Sequence, residues 1–232
     1  MPCEDIYQCF ISLLTSGYPL YTGIMIRNLP AERITLMKTA VFVILERFAD
    51  WEPAYLSSAL KGEVTSDYLV FFASTDTLPK TSIGGMTVLP QLALDEVPQN
   101  ADAIIFIGAD GSWHKPQENA AQLAISFRDR GKVVAGICDA ARWLGSIGLL
   151  NDVKHTLNDL DEMKDYKEYT NPASYRAEES VRDGKIVTAN GNAPLEFTAN
   201  VLRALGAAPE EKIQEYYDFY ALGFHNALKK YG

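Results

Sequence analysis

Cysteine is scarce in this 232-residue chain: it occurs at positions 3, 9 and 138, and no CxxC pair is present. The odd number and wide spacing argue against a disulfide framework, and they argue against a zinc site built from paired cysteines. Such sparse thiols are typical of a reducing compartment. The sequence therefore predicts free thiols in a cytoplasmic protein.

Long apolar runs and excess positive charge are also missing. No hydrophobic stretch approaches the roughly 20 residues that cross a membrane. Glu4 and Asp5 stand where a secretory signal would be basic, so secretion is not expected. With 21 Lys and Arg against 30 Asp and Glu, the net charge is −9. Nucleic acids and anionic membrane surfaces bind clustered cations, so neither is an expected partner.

Nucleotide-binding motifs are absent as well. The chain contains no GxxxxGK[ST] phosphate loop and no GxGxxG turn, so a nucleotide site has no positive support. Hydrophobic residues make up 47% of the chain and charged residues 22%, as in an ordinary globular protein. We expect a protein that works without cofactor or metal.

The first 36 residues differ from the rest. Two glycines and two prolines interrupt every candidate element there, whereas the run Met37–Leu45 reads as the start of a buried strand. We predict an N-terminal extension over residues 1–36 and a single α/β domain over residues 37–232. The extension is either an arm packed on the surface or sequence upstream of a natural start at Met37.

Three further apolar runs follow, with helix-forming sequence between them: Tyr68–Ala73, Ala103–Ile107 and Lys132–Ile137. Continuous apolar strands that alternate with helices indicate a mostly parallel sheet covered on both faces. In such sheets the site lies outside the carboxyl ends of the strands. Four loops are expected to meet there; they carry Glu52, Gly108–Trp113, Cys138–Asp139 and Asn190–Asn192.

The remainder of the chain is less regular. Asn151–Ser180 is polar and poorly periodic, which predicts a long excursion of the kind that often forms a lid or an interface. Pro209–Lys230 is predicted as one closing helix with an aromatic stripe used for packing.

Cys138 lies at the most informative junction, where the apolar run ends and a helix-forming segment begins at once. Gly136 and Ala140 are small residues two positions to either side, the pattern of a nucleophile elbow. A cysteine there would lie at a helix N-terminus, whose dipole favours the thiolate. The alternative is a buried core cysteine, because free cysteine is among the most buried residue types.

Glu52 is the second candidate. Pro53 suits the first position of a helix, which puts Glu52 at the predicted N-cap just after the first strand. Glutamate is not a favoured cap residue, so its presence is mild evidence for a role other than helix capping. A favourable contact with the helix dipole is a sufficient structural alternative.

Together these segments resemble the DJ-1/PfpI superfamily, the relatives of class I glutamine amidotransferase domains. The resemblance covers about residues 37–205. It rests on the strand and acid of residues 41–52, the loop Ile104–Trp113, the elbow Ala135–Ala140 and the tail Val181–Phe197. It implies a flavodoxin-like three-layer α/β sandwich, with a mostly parallel sheet and helices on both faces.

The resemblance also implies roles. Cys138 would be a reactive cysteine, and a protonated Glu52 would donate a hydrogen bond to its thiolate and lower the thiol pKa. The backbone N–H of Asp139 and one from the Gly108–Gly111 loop would form an oxyanion hole. Relatives of this kind form dimers or larger assemblies, so a homodimer is implied.

Two departures from the family pattern bear on the chemistry. Many members carry His directly after the cysteine, whereas this chain has Asp139, so a general base must come from elsewhere or be absent. His155 is the first candidate and His114 the second. The segment Gly108–Gly111 replaces the usual Pro-Gly-Gly, and a carboxylate at Asp110 near the oxyanion position would repel developing charge.

Three classes of function remain open. The first is a cofactor-independent enzyme that uses Cys138 on small carbonyl or amide substrates, by glyoxalase III-type hydration, deglycation or hydrolysis. The second is a redox or stress sensor in which Cys138 is oxidised. The third is a non-catalytic amidotransferase-like module that mediates assembly.

Overall fold

Alternating apolar strands and helices build the domain, as the sequence predicts. The computed structural model describes residues 37–115 and 117–232. Thr39–Gly232 form one unit, whose boundary with the preceding residues falls at Lys38. The predicted extension over residues 1–36 lies outside the described residues.

Nine strands occur in the described ranges, and most are short. They are β1 (Lys38–Val43), β2 (Tyr68–Ser74), β3 (Lys80–Thr81), β4 (Thr87–Val88), β5 (Leu92–Ala93), β6 (Ala103–Phe106), β7 (Val133–Ile137), β8 (Ser180–Asp183) and β9 (Ile186–Ala189). Seven of them form the main sheet in the order β5-β2-β1-β6-β7-β9-β8, and β3 pairs with β4 in a separate antiparallel hairpin.

The central strands of the main sheet run parallel. β6 pairs in parallel with both β1 and β7, and β7 pairs in parallel with β9. Only β8 pairs in the antiparallel sense within the described register, against β9 at the edge. The flavodoxin-like α/β fold expected from the sequence is therefore confirmed.

Helices connect and cover the strands. They are α1 (Ala54–Ser58), α2 (Glu118–Asp129), α3 (Asp139–Ser146), α4 (Pro194–Leu205), α5 (Glu210–Leu222) and α6 (Phe224–Tyr231). The single closing helix predicted for Pro209–Lys230 is in fact two, because Gly223 between them has φ +79° and ψ +157°, a conformation outside the helical region that glycine adopts without a steric penalty.

The core lies directly beneath the elbow. Every residue of β6 and β7 is buried, as a parallel sheet covered on both faces requires. Behind them Phe106, Trp113 and Trp143 form an aromatic cluster with ring centroids 4.4–5.7 Å apart. This rigid packing fixes the junction of β7 and α3, which carries Cys138.

Candidate active site

Cys138 lies at a strained bend between β7 and α3. Its backbone has φ +59° and ψ −130°, a conformation that non-glycine residues seldom adopt and that costs about 1–3 kcal/mol. The small neighbours are needed for packing: a Cβ on Gly136 would lie 2.6 Å from Leu144 Cδ1 and 3.3 Å from the Ala140 carbonyl carbon. The backbone geometry is that of a nucleophile elbow.

Two glycines enclose the cysteine side chain. A Cβ on Gly108 would lie 2.8 Å from Cys138 Cβ, and a Cβ on Gly191 would lie 2.7 Å from Cys138 Sγ. Neither position therefore accepts a side chain without displacing the cysteine. The loops after β6, β7 and β9 meet at this point, as the sequence predicts.

Glu52 lies against the same side of Gly108 as Cys138, since a Cβ on Gly108 would also lie 2.8 Å from Glu52 Oε2, and it is fully buried. Its Oε2 accepts a 2.7 Å hydrogen bond from the Gly108 N–H. Its Oε1 is buried too and accepts from no described backbone N–H; the side chain that hydrogen-bonds with the carboxyl is the Cys138 thiol. Burial raises the pKa of the carboxyl to about 8, against the lowering effect of the Gly108 hydrogen bond.

The N-cap position predicted for Glu52 is wrong by one residue. Helix α1 begins at Ala54 and its N-cap is Pro53. The Glu52 carboxyl accepts a hydrogen bond from the loop after β6.

Cys138 and Glu52 influence each other's ionisation through their charges and a shared hydrogen bond. Burial and the charge of an ionised Glu52 raise the pKa of the Cys138 thiol, while donors from Asn158 and the Asp139 N–H lower it. The net direction is upward, which differs from the lowered thiol pKa that the family resemblance implies. The pair accepts one negative charge far more easily than two, and a single proton can pass between sulfur and carboxyl.

Two backbone N–H groups of the predicted oxyanion loop differ in whether they already donate a hydrogen bond. The Gly108 N–H is occupied by Glu52, whereas the N–H of the following Ala109 donates to no described residue. The Asp139 N–H is directed at the cysteine sulfur. Gly111 has φ +74° and turns the chain away from the site; a Cβ added there would meet nothing within 4 Å.

Asp110 does not carry a free charge into the site. Its carboxylate accepts hydrogen bonds from Arg47 Nε and Nη2, the shorter at 2.6 Å, and both side chains are more than half exposed. Repulsion of an oxyanion by Asp110, expected from the sequence, is therefore countered by a neighbouring guanidinium.

The two candidate histidines occupy different environments. His155 is fully buried, and both ring nitrogens are engaged, Nδ1 with the Val153 carbonyl at 2.9 Å and Nε2 with Tyr169 Oη at 2.6 Å. Neither nitrogen is free to serve Cys138. His114 is exposed, with Nε2 3.4 Å from Asp139 Oδ1 at the rim of the site.

Asp139 is held by a buried arginine. Arg142, 2% exposed, donates from Nε to Asp139 Oδ1 at 2.7 Å and from Nη1 to Tyr166 Oη. The acid that replaces the family's histidine is thus part of an ion pair on α3, and Tyr166 ties the excursion after α3 to the same helix.

Asn158 and Trp51, which sequence reasoning did not assign to the site, are linked to the cysteine through the expected loop Asn190–Asn192. Asn158 Nδ2 lies 3.3 Å from Cys138 Sγ, its Oδ1 accepts from the Gly191 N–H at 2.9 Å, and the Gly191 carbonyl accepts from Trp51 Nε1 at 2.9 Å. Two features of the sequence could have pointed to these contacts: the Asn-Gly-Asn turn after β9 and the polar residue that ends the segment His155–Asn158.

The described residues contain no group of three or more His, Cys, Asp and Glu side chains arranged to hold a metal ion. Among the same residues, no helix is long and apolar enough to cross a membrane.

Comparison with known proteins places this geometry in context. A sequence model of the DJ-1/PfpI family matches residues 38–204. The chain is similar to an uncharacterized protease, YdeA, of Bacillus subtilis (strain 168). The two are 35% identical over 196 residues, which is 84% of this chain and 98% of the relative.

Two solved structures are also similar. The DJ-1 superfamily protein Atu0886 from Agrobacterium tumefaciens is 37% identical with a TM-score of 0.73, and the match covers 80% of this chain and 99% of that one. A thiJ/pfpI family protein from Bacillus anthracis is 25% identical with a TM-score of 0.77, covering 83% and 95%.

Proposed function

Because this chain belongs to the DJ-1/PfpI family, we propose that it is an enzyme that uses Cys138 as a nucleophile on small carbonyl or amide substrates without a cofactor. One observation carries the proposal. A cysteine on a strained elbow lies beside a fully buried carboxyl that is within hydrogen-bond reach of its thiol. A buried acid is costly to the fold, and acids whose pKa is raised by burial cluster at catalytic sites.

Glu52 supplies the proton transfer that a thiol nucleophile needs. A pKa of about 8 lies near neutral pH, where a carboxyl serves both as base and as acid. As sulfur attacks a carbonyl carbon, the S–C bond forms, the π electron pair moves to oxygen and the thiol proton passes to Glu52. Glu52 then returns that proton to the oxygen, which gives a neutral hemithioacetal.

With a dicarbonyl substrate the same acid completes the reaction. Glu52 removes the proton from the carbon bonded to sulfur and returns it to the neighbouring carbon, while the hydroxyl proton moves to the neighbouring carbonyl oxygen. This isomerises the hemithioacetal to a thioester. Water then cleaves the thioester to a hydroxy acid and restores the thiol, so the net reaction is hydration with no external oxidant or reductant.

Two backbone donors lie around the reacting atoms. The Ala109 N–H is free of hydrogen bonds to the described residues and is available to the developing oxyanion, whereas the Asp139 N–H, at the start of α3 where the helix dipole favours negative charge, is directed at the cysteine sulfur. Both donors are backbone N–H groups, so neither is lost where the surrounding side chains differ from the family pattern.

Carbonyl substrates are favoured over amides. Amide cleavage requires protonation of a leaving amine, and the histidine that commonly follows the cysteine is replaced by Asp139 in an ion pair with Arg142. The exposed His114 at the rim is the remaining candidate acid for that step. The thiolate-based sensor is less supported, since burial raises the pKa of the thiol.

The test is turnover of methylglyoxal to lactate by the purified full chain, in parallel with cleavage of a peptide p-nitroanilide. We expect lactate formation that is lost in Cys138→Ala and reduced at least about a hundredfold in Glu52→Gln, the scale of a lost general acid–base group. Lactate formation at full rate in Cys138→Ala would contradict the proposal, and so would failure of both substrates. Peptide cleavage without lactate formation would show that the substrates are amides rather than small carbonyl compounds.

We also propose that the protein works as a homodimer in the cytoplasm. Four apolar side chains on and beside the β3–β4 hairpin are more than 40% exposed and support self-association; they are Leu78, Ile83, Met86 and Leu89. Sedimentation of the full chain tests the dimer, and Met86→Lys is expected to shift it toward the monomer.

A further inference from the structure

One side chain reaches the cysteine sulfur from a part of the chain that the proposed chemistry has not used. Asn158 Nδ2 lies 3.3 Å from Cys138 Sγ, within hydrogen-bond range for sulfur. Asn158 belongs to the irregular excursion between α3 and β8, and its contact spans 20 positions in sequence. An exposed polar side chain in such a segment is ordinarily solvated, so a specific contact with the reacting atom requires explanation.

The backbone before Asn158 is fixed to the same strand that fixes the cysteine. The Thr156 N–H donates to Thr188 Oγ1 on β9 at 2.8 Å, and Thr156 Oγ1 donates to the Glu178 carbonyl at 2.8 Å. The next residue of β9, Ala189, accepts the Cys138 N–H through its carbonyl at 2.9 Å. Asn158 and Cys138 are therefore positioned by adjacent residues of one buried strand.

The orientation of the Asn158 amide follows from its second contact. The Gly191 N–H donates to Oδ1 at 2.9 Å, and a backbone N–H can bond only to the oxygen end of the amide. The NH2 end must therefore face the sulfur. The Gly191 carbonyl in turn accepts from Trp51 Nε1 at 2.9 Å, so three segments form a continuous hydrogen-bonded strap across Cys138.

We propose that Asn158 is a further catalytic residue, whose amide donates a hydrogen bond to the cysteine sulfur whenever negative charge develops there. The inference rests on the proposed cysteine chemistry. Sulfur carries charge when its proton passes to Glu52 and again when the thioester is cleaved, and burial opposes that charge at both steps. Trp51 is a positioning residue that acts through Gly191.

The experiment measures the rate of Cys138 alkylation by iodoacetamide against pH, followed by peptide mass because the chain also contains Cys3 and Cys9. Asn158→Asp keeps the shape of the side chain and replaces the donor by an acceptor. Asn158→Ala removes the donor without adding charge. Asn226→Asp, on α6, is the matched control for the same chemical change.

We expect the apparent pKa for alkylation to rise by about one unit in Asn158→Ala and by more in Asn158→Asp, so that the rate at pH 7 falls about tenfold or more. Asn226→Asp should match the wild type. In methylglyoxal turnover, kcat should fall in Asn158→Ala with little change in KM. Unchanged alkylation profiles in both Asn158 variants, at wild-type unfolding temperatures, would overturn the proposal.

The two proposals fail separately. If the wild type turns over neither methylglyoxal nor peptide, the proposed function fails, yet the alkylation profile still reports whether Asn158 stabilises charge on sulfur. If turnover is present and the alkylation profiles of the Asn158 variants match the wild type, the proposed enzymatic function is retained and the proposed role of Asn158 is rejected. A shift equal to that of Asn158→Asp in the Asn226→Asp control would also reject the role.

Discussion

Gly191 approaches Cys138 so closely that a Cβ on it would lie 2.7 Å from Sγ and 3.0 Å from Cys138 Cβ. Ordinary non-bonded carbon contacts are 3.5–4.0 Å. The backbone of the loop after β9 is therefore part of the wall of the site. Only glycine leaves the sulfur where Asn158 and Glu52 can act on it.

Gly191→Ala is expected to displace the sulfur and lower the rate of Cys138 alkylation at pH 8 by at least about tenfold. The backbone of Gly191 is not left-handed, so steric contact with the cysteine is the cause. Gly184→Ala supplies a control: Gly184 has φ +56° and open space around it, so alanine there should cost stability without changing reactivity. Equal reactivity in Gly191→Ala and wild type would contradict this account.

Asp110→Asn is expected to leave the turnover of methylglyoxal within about twofold of the wild type. The carboxylate is exposed and paired with Arg47, and exposed ion pairs contribute about 0–1 kcal/mol. A rate increase of tenfold or more would show that the charge of Asp110 does oppose the oxyanion.

Arg142→Leu is expected to destabilise the fold by about 3 kcal/mol, because it leaves the partly buried Asp139 without its partner. The double variant Asp139→Asn/Arg142→Leu should recover at least about 1 kcal/mol. Urea unfolding of the wild type, of Asp139→Asn, of Arg142→Leu and of the double variant measures both effects. Additive losses would mean that the pair is not coupled.

His155→Gln is expected to lower stability while alkylation of Cys138 stays within about threefold of the wild type. Burial lowers the pKa of His155, so the unfolded chain binds its proton more readily than the fold does. The contribution of neutral His155 to the free energy of unfolding is therefore complete above the ordinary histidine pKa near 6.5, and it is lost as the pH falls toward the lower pKa of His155 in the folded protein. Urea unfolding at pH 7 and pH 5 should show a smaller acid loss in His155→Gln than in the wild type.

The fold and the centre of the site were readable from the sequence because each depends on local pattern. Apolar strands with helices between them specify the parallel sheet, and the small residues at 136 and 140 mark the bend at Cys138. The family resemblance paired Cys138 with Glu52, and the structure places both against Gly108.

The other features of the site depend on long-range contacts, which no local sequence pattern encodes. His155 and Asn158 are three positions apart in an irregular segment, and the pairing of Thr156 with Thr188 decides which of them faces the cysteine. Asp110 is turned aside by Arg47, 63 residues earlier. The direction of the thiol pKa depends on burial, which is set by packing rather than by sequence spacing.

The central claim is that Glu52 takes the proton of Cys138 rather than merely repelling its charge. The most direct measurement is the rate of Cys138 alkylation by iodoacetamide between pH 6 and pH 10 in the wild type, in Glu52→Gln and in the exposed control Glu215→Gln. The account predicts a rise near pH 8 in the wild type and in Glu215→Gln, and slower alkylation at that pH in Glu52→Gln. Equal or faster alkylation of Glu52→Gln at pH 8 would contradict it, because removing a carboxylate that only repels the thiolate makes the cysteine more reactive.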